Sequence, residues 1–284
     1  AHNTMLINGI GQPFTPDAYG YIVRMFNGDN ISYALGDAST AYCGISNIRL
    51  WKRSFEKYHL TQTPENGFGE TPLKKYRRHI FLLHPNKVVI YDELEANEKV
   101  RWDWLLHSPV KFDINPTASI LTTVNKEKGV SSVVQLFCEQ EAAITQTDKY
   151  AAPPNHADAQ RGEDFTDPWS LTASFGPSRN NRILTIIQVE ADGRQAVQIM
   201  REGNTFRCGE WVIEAELNAK RPGRLYIRNS RNNAVFSYGD KKPEINGELY
   251  SCKEKDASVL FDCVNGEWTV QEMGDQRVQT MGKW

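Results

Sequence analysis

A single histidine, His2, stands just before an apolar segment at the start of the chain. Imidazole is a common metal ligand, but a zinc ion needs several ligands at once. The neighbouring sequence contains no H-x-H or H-E-x-x-H pattern and no carboxylate at ligand spacing. His2 is therefore either a hydrogen-bonded structural residue or one zinc ligand whose partners come from elsewhere. The Asn-Gly pair at 8–9 predicts a tight turn and not a cofactor loop, because no helix follows it.

Two basic clusters, LWKRSF at 50–55 and LKKYRR at 73–78, interleave cations with aromatic residues. Arginine and lysine pair with carboxylate or sulfate, and aromatic faces suit sugar rings. The clusters are therefore either solvated faces or one wall of a groove for an acidic polymer. The candidate substrate-binding residues of that wall are Trp51, Arg53, Lys74, Lys75 and Tyr76.

A further histidine, His107, closes the segment RWDWLLHS at 101–108. In a strand it would share a face with Asp103 and Leu105. Its predicted role is that of a hydrogen-bonded structural residue at a strand end. The sequence contains no nucleophile elbow, phosphate loop or dinucleotide fingerprint, so it assigns no catalytic residue.

The overall composition is that of an ordinary globular protein, with 284 residues, a net charge of -2, 40% hydrophobic residues and 24% charged residues. This charge argues against a dedicated nucleic-acid binder, which carries a strongly basic surface. No apolar run is long enough to cross a bilayer. The five cysteines include no C-x-x-C pair, which favours buried free thiols over a zinc ribbon. A disulfide between Cys252 and Cys263 across a hairpin stays open.

The dominant hydrophobic period along the chain is two residues, which is typical of β-strands. Short β-rich runs separated by turn residues predict an all-β fold, with a large two-layered antiparallel β-sandwich followed by a small β domain. We place the sandwich at 1–205 and the small β domain at 206–284. The predicted runs are 77–85, 87–94, 101–108, 130–138, 142–147, 169–176, 182–190, 211–217, 224–229, 234–239, 257–264 and 267–272.

Segment 46–59 departs from the strand pattern, because Ile48, Trp51, Phe55 and Tyr58 are spaced as one face of a helix. Ser46 is the predicted N-cap of this helix. The helix lies in a long excursion, and a second long polar stretch follows at 148–169. Connections of this length in a compact domain are typical of binding loops.

Four stretches, in this order, resemble the heparinase II/III family of polysaccharide lyases. They are AHNTMLINGIGQ at 1–12, ISYALGDASTAY at 31–42, YRRHIFLLHPNKVVIYDELEA at 76–96 and WDWLLHS at 102–108. The resemblance implies an N-terminal α/α-toroid, then a two-layered β-sandwich, then often a small β domain. This chain would correspond to the part from the HNT motif onward, without the toroid.

The resemblance also implies an activity, the β-elimination of a uronic-acid polysaccharide of the heparin, heparan sulfate or alginate type, in the periplasm or outside the cell. The implied partners are this acidic polysaccharide and the N-terminal toroid of the same protein. The family's catalytic residues come from the toroid and from the sandwich before HNT, so none is carried over to this chain. His2 matches the histidine that completes a structural zinc site, whose histidine and aspartate partners would precede residue 1.

An alternative function is a non-catalytic β-sandwich that binds or spaces glycans. A mutarotase-like enzyme would need paired histidine and carboxylate on one concave face, and the sequence shows no such pair. The region that precedes the HNT motif in the intact protein distinguishes the lyase from the binding module.

Overall fold

The computed structural model describes residues 2–115, 117, 119–150, 168–229, 231, 233–239, 242–245, 247–253 and 257–275, apart from the side chains of Leu50, Trp51 and Ser54. Across these residues the structure is almost entirely β-strand, so the predicted all-β class is confirmed. The described helices are α1 (Ile48–Lys57) and a short 3-10 helix at Pro64–Asn66. Neither of them has the length and apolar character that crossing a bilayer requires.

The first layer is an antiparallel sheet of ten described strands, called here the ten-stranded sheet. Its strands are β1 (Met5–Ile7), β2 (Tyr21–Asn27), β3 (Ile31–Asp37), β4 (Leu73–Leu83), β5 (Lys87–Ser108), β6 (Asp113–Asn115), β7 (Ile120–Asn125), β8 (Val130–Phe137), β9 (Ala142–Thr147) and β10 (Trp169–Ala191). Their order is β2-β3-β4-β5-β10-β8-β7-β6, with β1 paired to β5 and β9 paired to β10.

The second layer is a seven-stranded sheet with the order β11-β12-β13-β14-β15-β18-β19. Its strands are β11 (Met200–Glu202), β12 (Thr205–Cys208), β13 (Trp211–Ala215), β14 (Leu225–Asn229), β15 (Ala234–Tyr238), β18 (Ser258–Val264) and β19 (Glu267–Met273). A separate two-stranded ribbon consists of β16 (Glu244–Ile245) and β17 (Glu248–Leu249).

Two strands, β5 and β10, run further than the sequence pattern indicated, with 22 and 23 residues. The sequence predicted a break at EANEK and another between 176 and 182, and both predictions are wrong. Residues 97–99 are exposed and polar, but their backbone stays in β5. The pairing register of β10 shifts between Phe175 and Asn180, opposite this point. Such bulges bend a strand without ending it.

The core has two parts, one on each face of the ten-stranded sheet. The first lies between the two sheets and includes Tyr33, Phe81, Trp211 and Phe236. The second lies on the opposite face and includes many residues from the second half of β5 and the first half of β10. It contains Trp102, Trp104, Leu171, Phe175 and Ile183 among its members. Alternation along β5 explains the division, because successive side chains point to opposite faces.

The predicted domain boundary between residues 205 and 206 falls inside β12 (Thr205–Cys208), which pairs with β11 in the seven-stranded sheet. Phe206 and Trp211, which follow that boundary, pack in the same core cluster as Tyr33 and Phe81, which precede it. Within the described residues, the two predicted segments therefore share one core, and β11 of the first segment lies in the seven-stranded sheet with the strands of the second.

The predicted helix is present as α1, but its cap differs from the prediction. The side-chain oxygen Oδ1 of Asn47 accepts a hydrogen bond from the backbone amide of Arg49 at 3.1 Å, which makes Asn47 the N-cap. Ser46 Oγ instead accepts a hydrogen bond from the backbone amide of Phe14 at 2.9 Å. Ser46 therefore ties the excursion to the N-terminal segment instead of capping the helix.

Candidate functional site

The first residues of the chain are fixed by β1, which pairs with the far half of β5. A two-residue turn follows at Asn8 and Gly9, with φ angles of 54° and 84°. Asn and Gly adopt this left-handed backbone more readily than other residues, so the predicted turn is confirmed. The paired strand holds Asn3 against His107 at the end of β5.

Asn3 positions His107 through two hydrogen bonds to one oxygen. Asn3 Oδ1 accepts from the backbone N–H of His107 at 2.8 Å and lies 3.0 Å from its Nδ1. The backbone N–H can only donate, so the Asn3 atom is the amide oxygen, which can only accept. The Nδ1 of His107 must then carry a proton. In neutral His107 the lone pair is therefore on Nε2.

The charge state of His107 follows from its surroundings. Partial burial lowers the pKa of His107 below its ordinary value, and the neighbouring His2 acts in the same direction. His107 is therefore mainly neutral at pH 7. Its Nε2 can accept a proton or a hydrogen bond from a ligand.

Asn3 is in turn held by a buried ion pair. Arg78 Nη1 donates to the backbone carbonyl of Asn3 at 2.6 Å. The same guanidinium donates through Nε and Nη2 to the two oxygens of Asp92, at 2.6 and 2.9 Å. Asp92 is completely buried. Burial would lower the pKa of Arg78, but Asp92 holds it above its ordinary value. A bidentate pair of this kind fixes orientation, so Asp92, Arg78 and Asn3 form a rigid support for His107.

Tyr42 holds the same segment from the other side. Its hydroxyl donates to the Met5 carbonyl at 2.6 Å and lies 3.0 Å from Thr4 Oγ1. Burial raises the pKa of Tyr42 to about 12, so the hydroxyl stays protonated at neutral pH. Tyr42 therefore contributes to positioning and is not available as a phenolate base.

His107 borders a groove of about 490 Å³. The groove runs between the end of β5 and the neighbouring strands β7, β8 and β10. Its lining is mainly apolar and includes Val110, Phe112, Val134 and Ile187. A neutral histidine at the rim of an apolar groove can orient a ligand group through a single hydrogen bond.

The face of the ten-stranded sheet that bears Arg78 is only partly covered by the second core. Ile80 and Leu82 share this face with Arg78 because they alternate along β4. They are 42% and 38% exposed. Met25 pairs with Ala34 of β3, which pairs with Ile80 on its other side, so Met25 lies on the same face. Its side chain is 64% exposed. This open face, defined here by Met25, Ile80 and Leu82, lies beside the His107 support.

His2, the predicted metal ligand, has an exposed side chain near His107. The described residues contain no group of three or more histidine, cysteine or acidic side chains that could hold a metal ion. These residues by themselves do not fit a zinc site, since zinc needs at least three protein ligands. The zinc site stays a prediction that requires ligands from outside this chain.

The predicted substrate wall is divided between opposite faces of β4. Tyr76 is 3% exposed and packs in the second core, so its ring cannot stack on a sugar. Lys75 points to the other face and pairs with the buried Glu93. Lys74 pairs with Glu95 at 2.6 Å. Both lysine charges are therefore compensated within the fold.

The other two predicted wall residues lie on α1. Arg53 is exposed and makes no ion pair with any residue that the structure describes. The side chain of Trp51 lies outside the described residues. Lys75 and Tyr76 therefore do not lie on one wall, and among the four predicted residues with described side chains Arg53 is the cation without an ion-pair partner in the described part of the chain.

A second polar cluster is enclosed between the two sheets, around the completely buried Glu93. Tyr238 donates its hydroxyl to Glu93 Oε1 at 2.8 Å. His79 Nε2 lies 3.6 Å from the same oxygen, and Arg182 Nη2 lies 3.7 Å from Oε2. Burial would raise the pKa of Glu93, but His79, Arg182 and Lys75 hold it far below its ordinary value. Glu93, His79, Arg182 and Tyr238 are buried among the described residues, and the cluster ties the two layers together.

Sequence reasoning missed both carboxylate clusters, although a signal for them was present. Asp92 and Glu93 interrupt an otherwise apolar strand, KVVIYDEL. Counting outward from the turn at 84–86 pairs Arg78 with Asp92 and Arg77 with Glu93, which is the observed register. Opposite charges at paired positions indicate a cross-strand ion pair. The charge pattern of β4 and β5 thus predicts the ion pair between Arg78 and Asp92. The contact between Asn3 and His107 depends instead on the pairing of β1 with β5, which are far apart in sequence.

Comparison with known proteins finds fold likeness only. No protein-family model matches the sequence, and no curated protein matches it. A solved heparinase III with methylated lysines has a TM-score of 0.53 and 11% identity, over 84% of this chain and 30% of its own chain. A second heparinase III structure has a TM-score of 0.50 and 12% identity, over 80% of this chain and 30% of its own.

A heparan sulfate lyase, HepC from Pedobacter heparinus, has a TM-score of 0.48 and 7% identity, over 81% of this chain and 29% of its own. This chain thus spans about 30% of the length of the solved structures that it matches. At such low identity the likeness to the two heparinase III structures shows a shared fold. The chain is a β-sandwich of the kind found in part of heparinase III.

Proposed function

We propose that this chain is the β-sandwich part of a polysaccharide lyase that cleaves a uronic-acid polysaccharide of the heparin, heparan sulfate or alginate type by β-elimination. The observation that carries the proposal is the fold likeness to heparinase III over 84% of this chain. The four sequence stretches that resemble the same class of lyase support it. Action on such a polymer implies a periplasmic or secreted protein.

The proposed chemistry needs three contributions around the sugar. The uronate carboxylate must be neutralised, a base must take the neighbouring proton, and an acid must protonate the departing oxygen. Among the described residues, His107 fits a hydrogen-bonding or proton-accepting role because its Nε2 is basic. Arg78 is committed to Asp92 and cannot also neutralise a substrate carboxylate. In this proposal the remaining groups come from an N-terminal α/α-toroid of the same protein.

The open face formed by Met25, Ile80 and Leu82 supports the idea of a partner domain. Apolar side chains exposed on one sheet face are typical of surfaces that another domain covers. A toroid on this face would place the polysaccharide between the two domains, next to His107. Among the predicted wall residues, Arg53 remains the candidate for direct contact with the polymer.

The test uses the full-length protein with heparin, heparan sulfate and alginate as substrates. We expect unsaturated products, detected by their ultraviolet absorbance, and a slower rate in His107→Gln. His59→Gln is the matched control, because His59 is exposed and lies outside the site. Absence of products from all three polymers would overturn the lyase assignment. Binding without cleavage would favour the glycan-binding alternative.

The proposed zinc ligand has a separate test. In the full-length protein, His2→Ala should lower the zinc content measured by elemental analysis, because a structural site rarely keeps its metal after losing a ligand. Unchanged zinc content would assign His2 to a structural role.

A further inference from the structure

A second cleft lies on the outer face of the seven-stranded sheet, on the side away from the ten-stranded sheet. Its floor is formed by β14, β15 and β19, and the β16–β17 ribbon forms the facing wall. Its volume is about 560 Å³. This size is within the range of small-ligand sites. The first core and the ten-stranded sheet separate it from His107, so the two sites are independent.

The floor of the cleft is aromatic and only partly covered. Tyr226 belongs to a small apolar cluster on this face, and Trp268 packs against that cluster with part of its surface exposed. Across the cleft, Leu249 of the ribbon is 67% exposed. A partly exposed indole over an apolar floor offers a flat surface on which the C–H face of a sugar ring can lie.

The rim of the cleft carries both cations and hydrogen-bond acceptors. Arg228 and Lys242 line it, and neither makes an ion pair with another residue that the structure describes. Glu214 and Glu244 also line it, and their carboxylates can accept hydrogen bonds from hydroxyl groups. A guanidinium can bind a ligand carboxylate through two parallel N–H donors.

We propose that this cleft binds an oligosaccharide segment that contains uronic acid. Trp268 stacks on a sugar ring, Arg228 and Lys242 face the uronate carboxylate, and the two glutamates accept hydrogen bonds from sugar hydroxyls. An aromatic surface alone would suit any glycan. Arg228 and Lys242, which form no ion pair with a described residue, favour an acidic one. The cleft has no role in bond cleavage, so the proposal concerns binding and does not depend on lyase activity.

The test measures binding of a saturated tetrasaccharide of guluronic acid to the protein, with neutral cellotetraose as the comparison ligand. The indole N–H signal of Trp268, assigned by comparison with Trp268→Phe, reports binding at this cleft in NMR spectra. The variants are Arg228→Gln and Lys242→Gln. Arg231→Gln is the matched control, because Arg231 is exposed, pairs with Glu210 at 3.1 Å and lies outside the cleft.

We expect the guluronate tetrasaccharide to shift the Trp268 signal and to bind at least about fivefold more weakly to Arg228→Gln than to the control. Lys242→Gln should weaken binding in the same direction. The proposal is overturned if the signal does not move at about 5 mM ligand. It is also overturned if cellotetraose binds equally well, or if both cleft variants behave like Arg231→Gln. Ultraviolet absorbance in the same samples reports cleavage separately, so binding without cleavage supports this proposal, and the lyase assignment is decided by the three-polymer assay alone.

Discussion

Replacing Glu93 by glutamine should destabilise the fold by about 3 kcal/mol at pH 7. The substitution keeps the size of the side chain and removes its charge. It leaves the buried Arg182 guanidinium without the carboxylate that lies 3.7 Å away. Removing one partner of a buried ion pair costs roughly 3–5 kcal/mol. The lower end applies here because the Lys75 side chain is 31% exposed and can be solvated by water.

The size of this effect should depend on pH in a direction that the structure fixes. The pKa of Glu93 is far below its ordinary value in the folded protein, whereas in the unfolded chain it is about 4.3. The ionised carboxylate therefore stabilises the fold fully above the unfolded pKa. That contribution is lost as the pH falls below about 4.3. The difference between the wild type and the variant should shrink on acidification.

Urea unfolding at pH 7 and at pH 3.5, followed by circular dichroism, measures both expectations. Glu95→Gln is the matched control, because Glu95 pairs with Lys74 at the surface, where both side chains are at least one-third exposed. Its cost should stay below about 1 kcal/mol. The reasoning is refuted if the two variants lose equal stability at pH 7, or if the Glu93→Gln deficit is the same at both pH values.

Two further predictions concern the packing around these clusters. A Cβ atom at Gly223 would clash with the buried Glu93 Oε1, so Gly223→Ala should cost about 2 kcal/mol or more in urea unfolding. At Gly176 no atom of the described residues lies within 4 Å of an added Cβ, so Gly176→Ala should leave the urea midpoint nearly unchanged. Equal effects of the two substitutions would contradict the packing. Asn3→Ala removes the oxygen that accepts from His107 Nδ1, so the ring proton should no longer favour Nδ1. The ring ¹⁵N chemical shifts of His107 measure this change. The substitution should lower the free energy of unfolding by about 1 kcal/mol. Unchanged ring shifts would show that Asn3 does not set the tautomer.

The features that sequence predicted well are those with local causes. The turn at Asn8 and Gly9 needs two residues that accept positive φ, and the sequence supplies them. Helix α1 follows from the spacing of apolar residues between Ile48 and Phe55. Alternation identified most strands in the same way, because a strand with one buried face carries a period of two.

The features that sequence could not predict depend on distant pairing. β5 continues through the exposed residues 97–99 because β10, about 80 residues later, bulges at the matching point. Tyr76 is an aromatic residue among cations, which suggested a binding surface. It is buried because it packs in the second core, against Tyr42 and with residues from the second half of β5. Sequence placed Lys75 and Tyr76 in one patch, although neighbours in a strand point to opposite faces.

That same alternation explains how one pair of adjacent residues in β5 serves both sides of the molecule. Asp92 lies buried on the same side of the ten-stranded sheet as Arg78 and supports His107 through Arg78 and Asn3. Glu93 points into the interface between the sheets, where Lys75, Arg182 and Tyr238 surround it. Loss of the Glu93 charge should therefore weaken the packing between the two sheets and leave the position of His107 unchanged. Loss of the Asp92 charge should instead alter the position of His107, because Arg78 would no longer be held against the Asn3 carbonyl. Of these two neighbouring carboxylates, Glu93 therefore mainly stabilises the packing between the sheets, and Asp92 mainly fixes the geometry around His107.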